Sequence, residues 1–121
     1  MRVLLVPLVA VGALFGSAND EPTEQMMRSA FESSLAAKVR SAVTFVSETG
    51  GAEALATVRK NGTDRFNIND FHKRECKRSG EMPGYVCNFT VRIDLVNGAL
   101  QGTMSGRFIA APGGLVYAPE A

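Results

Sequence analysis

The sequence predicts an α+β fold: one long N-terminal helix and a shorter helix packed on a four-stranded antiparallel meander, with one disulfide. Three observations predict it. Residues 85–96 alternate strictly, with Tyr85, Cys87, Phe89, Val91, Ile93 and Leu95 on one parity and Val86, Asn88, Thr90, Arg92 and Asp94 on the other. That period of two marks a strand with one buried and one wet face. Met27, Phe31, Leu35, Val39, Ala42 and Val46 recur every three or four residues, the stripe of an amphipathic helix. Cys76 and Cys87 are the only cysteines and fall on neighbouring predicted strands.

The chain begins with Met1-Arg2 and an apolar stretch from Val3 to Phe15, then Gly16-Ser17-Ala18. One positive charge, an apolar run and small residues form a secretory signal peptide, with cleavage expected after Ala18. Residues 19–121 then make one domain. No second apolar stretch of spanning length follows, so the mature protein is expected to be soluble, secreted or periplasmic. The full chain has 13 basic and 12 acidic residues. The leader removes Arg2 and no acid, so the mature chain is balanced. That excludes a general nucleic-acid or membrane-surface binder, which carries excess Lys and Arg. In an oxidising compartment the cysteine pair reads as a structural disulfide. Closing so short a loop is worth roughly 3 kcal/mol in the chain-entropy account.

The helix starts at residues 19–24. Asp20 or Thr23 can cap it, Pro22 suits its first turn, and the acids oppose the dipole. It is expected to end near Glu48, before Gly50-Gly51, with its apolar stripe in the core. A shorter helix over 51–60 is stopped by Asn61-Gly62. Residues 65–77 read as the first strand, 85–96 as the central one, 99–109 as the third and 115–117 as a short last strand. Pro119 blunts the edge of that last strand. A tight Asn97-Gly98 hairpin predicts Leu95 opposite Leu100, Val91 opposite Met104 and Cys87 opposite Phe108. Asn61-Gly62-Thr63 and Asn88-Phe89-Thr90 match the glycosylation acceptor pattern, the second within a strand where a glycan fits poorly.

This order of a long helix and a meander over residues 22–117 resembles the cystatin-like and nuclear-transport-factor-like folds, where a curved sheet wraps a helix. It is also similar to small secreted proteobacterial proteins with a paired cysteine. The resemblance implies the architecture and no activity. The inhibitor loop of cystatins, Gln-x-Val-x-Gly, has no counterpart: Gln101-Gly102-Thr103-Met104-Ser105-Gly106 does not match it and reads as strand.

Two site readings follow for the first strand. If Cys76 pairs with Cys87 and the register continues unbroken, Asp70, His72 and Arg74 face the helix and Phe71 faces out. With Gly102 and Gly106 on the same face, those residues could line a small polar ligand pocket. Alternatively a β-bulge near residues 70–74 buries Phe71 and returns the polar groups to water, and a second irregularity restores Cys76 to the inner face. Burying unpaired Asp, His and Arg costs on the order of several kcal/mol, which favours the bulge. Asp70 and His72 could also form an acid–base pair. No nucleophile elbow, phosphate loop or second histidine accompanies them, so neither catalysis, a metal nor a cofactor is expected. Lys73, Arg74, Lys77 and Arg78 make a basic arm that suits an anionic partner. The expected function is a non-catalytic exported domain that binds a partner protein or envelope component through this arm or the outer sheet face. The alternative is a small-ligand binder.

Overall fold

The computed structural model describes residues 21–78 and 80–119. They form helix α1 (Glu24–Asn61) and strands β1 (Asn67–Arg78), β2 (Tyr85–Leu95), β3 (Gly98–Ala111) and β4 (Gly114–Pro119). The strands pair in chain order as one antiparallel sheet, β1-β2-β3-β4, so the α+β meander is observed. The expected signal peptide, residues 1–18, and the alternative cap Asp20 lie outside the described residues.

Thr23 caps α1, its Oγ1 accepting the Met26 N–H at 3.2 Å. Pro22 therefore precedes the cap instead of opening the first turn. Glu24 in the first turn and Arg59 and Lys60 in the last oppose the helix dipole. Two helices were expected, but the element runs as one helix of 38 residues. Its only non-helical backbone is at Gly51, with φ 75° and ψ −169°. Glycine reaches that conformation without a Cβ clash, so the Gly50-Gly51 pair kinks the helix rather than ending it. Gly62 closes the C-terminus at φ 73°.

Only the first third of the apolar stripe is core. Met27, Ala30 and Phe31 are buried and Leu35 packs on them, whereas Val39, Val43 and Val46 are half-buried and Ala42 and Phe45 exposed. The reason is how α1 crosses the sheet: its backbone packs against the two edge strands, β1 and β4. Aromatic rings fill the space between. The Phe31 ring lies 5.2 Å from Phe89 and 5.3 Å from Tyr117, both edge-on, and Phe71 stacks on Phe89 at 4.9 Å. Phe108 completes the cluster against Tyr117 at 5.0 Å.

The β2–β3 register differs from the expected one by two residues. Leu95 pairs with Gly98, Ile93 with Leu100, Phe89 with Met104, Cys87 with Gly106 and Tyr85 with Phe108. The loop is therefore Val96-Asn97, and Gly98 opens β3 at φ 146°, outside the reach of residues with a Cβ. A shift of two leaves every side chain on its predicted face, which is why the alternation could not detect it. The shift sets Gly106 beneath Tyr117: a Cβ there would meet the ring at 2.2 Å. This close approach lets β4 fold its tyrosine over the sheet.

Candidate functional site

The first strand decides between the two site readings. Cys76 pairs with Cys87, joined by a 2.04 Å disulfide, yet Lys73 pairs with Phe89 and Phe71 with Val91. One extra residue is thus accommodated between Lys73 and Cys76, and another between Ile68 and Asp70. These are the bulge and the second irregularity. Phe71 is buried, and Asp70, His72 and Arg74 are all exposed. Burying a phenylalanine contributes about 1.5–3 kcal/mol. Wetting the polar groups avoids a penalty of several more, so both terms favour the bulged register.

The polar pocket is accordingly not formed. Asp70 Oδ1 and His72 Nε2 meet at 2.9 Å on the outer face, with side chains 56% and 60% exposed. Arg92 Nε donates to Asp94 Oδ1 at 3.2 Å on the same face. Gly106 is on the other face, filled over by Tyr117, and Gly102 has open space above it. The structure brings together Asp70 and His72, but not either glycine with them. An open, solvated Asp–His pair offers no shielded site for a reacting group.

The basic arm is also divided. Lys73 Nζ turns back to Glu21 Oε2 at 2.6 Å and donates to the Pro22 carbonyl at 2.6 Å. The Lys73 N–H donates to Glu24 Oε1 at 2.7 Å. Lys73 therefore clamps the helix N-terminus to β1 and is not free for a partner. Arg78 lies 5.3 Å from the Tyr85 ring centroid, a cation–π contact. Arg74, Lys77 and Arg78 are the exposed cations of the arm. Arg107 has the outer-face parity of β3, yet it is buried and donates to the Pro83 carbonyl at 3.1 Å.

Two surfaces escaped the sequence reading. The first is the hairpin end of the inner sheet face. Leu95, Val96, Leu100 and Met104 are exposed there by 36%, 60%, 59% and 38%. Leu100 and Met104 share the parity of Phe108, so they continue the core face past the part covered by α1. The second is the groove between α1 and β4. It is an open groove of about 550 Å³, bordered by Ala30, Ser34, Ala37, Lys38 and Ser41 on the helix and by Leu115 and Val116 on the strand. Deeper in, Tyr117 is buried with its hydroxyl unpartnered, and burial pushes that phenol above its ordinary pKa. Both surfaces depend on where the helix runs, which no local pattern encodes.

No family, curated protein or solved structure matches the chain. A disulfide, together with no helix among the described residues long and apolar enough to cross a membrane, is compatible with an extracellular location.

Proposed function

We propose that this protein is a non-catalytic, exported binding module that docks a partner protein through the hairpin end of its inner sheet face. The likeness to cystatin-like architecture belongs to the same proposal. One observation carries it: Leu100 and Met104 extend the apolar face of the sheet beyond the helix and stay open beside Leu95 and Val96. A clustered apolar patch of this kind on a small domain is the usual mark of an interaction surface, whereas scattered apolar residues are not. The disulfide and the buried aromatic cluster hold the patch on a rigid strand pair. Arg74 and Lys77 lie on β1, at the opposite edge from β4, and serve as a secondary contact to an anionic surface.

A photo-crosslinking residue placed at position 100 tests this in the native host. It should yield one discrete adduct, competed away by excess wild-type protein and not by the L100D/M104D variant. The same probe at Gln101 or Thr103, on the outer face, should yield none. Equal adducts from both faces would overturn the reading. Recovery of the mature chain with Asn19 as its first residue would support export; a chain with Met1 intact and confined to the cytoplasm would oppose it.

A further inference from the structure

The two edges of the sheet are treated in opposite ways. On β1 the edge is broken by two bulges and studded with Asp70, Lys73, Arg74, Glu75, Lys77 and Arg78, and Glu24 takes up the Lys73 N–H. These are the devices by which a sheet refuses another strand. On β4 the sequence is Gly-Leu-Val-Tyr-Ala-Pro, uncharged, and it pairs with β3 without any register shift. Among the described residues, its other side has no strand. We infer that β4 is a strand-addition edge, and that its occupant is β4 of a second copy of this chain, paired antiparallel about a two-fold axis at Val116.

The register argues for that occupant. Ala111 pairs with Gly114 across the Pro112-Gly113 turn. The closing pair of such a turn is of the hydrogen-bonding kind, and the kinds alternate along an antiparallel ladder. Val116 therefore directs its main-chain groups to β3, while Leu115 and Tyr117 direct theirs to the open side. Pro119 has the same parity as Leu115 and Tyr117, so its missing N–H belongs to the open side as well. This is where an edge proline costs β3 nothing.

A two-fold axis at Val116 sets Leu115 opposite Tyr117 of the second copy and Tyr117 opposite its Leu115. Both N–H and both C=O groups of each such pair then find partners. Gly114 faces Ala118, and Pro119 falls outside the ladder. An axis at Tyr117 would instead put Pro119 at a position that requires an N–H. An axis at Leu115 would leave most of β4 unpaired. The central Val116 side chains, 49% exposed in the single chain, meet each other across the axis. The groove over β4, walled by small helix residues and by Lys38, leaves room for the neighbour's inner-face Leu115. The surface is thus self-complementary, as an isologous contact must be.

The test uses the mature, oxidised chain and sedimentation equilibrium near 100 μM. The wild type should sediment at about twice the monomer mass. V116K and V116D, altered at an exposed position, should each sediment as monomers with unchanged circular dichroism. An equimolar mixture of the two should recover the dimer, because position 116 of one copy faces position 116 of the other. A monomeric wild type overturns the inference. So does a dimer unaffected by either charge, or a V116K–V116D mixture that stays monomeric. If the wild type is monomeric yet binds an added extended peptide at β4, the edge serves a foreign strand and the second-copy assignment fails.

Discussion

The edges β1 and β4 are built from the same kind of backbone but differ in what the rest of the chain does to them. At β1 the helix N-terminus reaches over the edge, with Glu24 on the Lys73 N–H and Lys73 Nζ on Glu21 and Pro22, and the disulfide ties the strand to β2 from the other side. At β4 the helix presents mostly alanines and serines, with Lys38 among them, leaving a groove, and Leu115 and Tyr117 attach the strand to the core. The lesson concerns the order of constraints. A strand that must carry an odd register is pinned covalently and electrostatically. A strand in regular register is held by its ladder and by two apolar side chains on the core.

The largest effect that tests this contrast is loss of the staple. Replacing both Cys76 and Cys87 by alanine should cost roughly 2–4 kcal/mol in urea denaturation. Amide exchange should rise first in β1, around Lys73 and Arg74, while β4 keeps its relative protection. A uniform rise across all strands would mean that β1 does not depend on the disulfide for its register. Next in size is a pair of glycine substitutions on one face of β3. Gly106→Ala forces a Cβ against the Tyr117 ring and should destabilise by about 1–3 kcal/mol, loosening β4. Gly102→Ala meets open space and should change stability by less than about 0.5 kcal/mol. Similar costs at both would show that Tyr117 does not lie over Gly106.

Smaller still is Glu24→Ala, which removes the acceptor for the Lys73 N–H. A single such hydrogen bond is worth about 0.5–1.5 kcal/mol. Its specific sign is faster exchange of the Lys73 amide with β4 unaffected. The smallest change concerns Tyr117. Burial raises its pKa, so the neutral phenol is favoured in the folded state. The associated stability is complete below the unfolded value of about 10 and is lost as pH rises past it. Tyr117→Phe should therefore flatten the alkaline fall of the thermal midpoint. At neutral pH it should leave stability level or slightly higher, because the hydroxyl it removes has no partner. An alkaline profile identical to wild type would place the phenol in water.

The Phe71 parity was legible before any coordinates: charges that would be costly to bury, next to a phenylalanine that would be costly to expose, require an irregular strand. The hairpin register was not. Leu95–Leu100 and Ile93–Leu100 both set apolar against apolar, and a shift of two preserves every facing. The candidate sites suffered more. Asp70, His72 and Arg74 were read as a pocket from an unbroken register and Lys73 as a contact from its charge, and charge does not say that Lys73 spends its ammonium on the helix N-terminus. Leu100 and Met104 looked like core because they alternate like core, and only the path of α1 leaves them bare.

The amino-acid order by itself determined the element types, the disulfide pair and the inward parity of the central strand, since each follows from interactions between near neighbours and from alternation. Tertiary structure alone decided which third of the helix is buried, which edge is guarded and which apolar residues stay uncovered. Those outcomes depend on the angle at which one helix crosses one sheet, a quantity set by the summed packing of Phe31, Phe71, Phe89, Phe108 and Tyr117 and by no single segment.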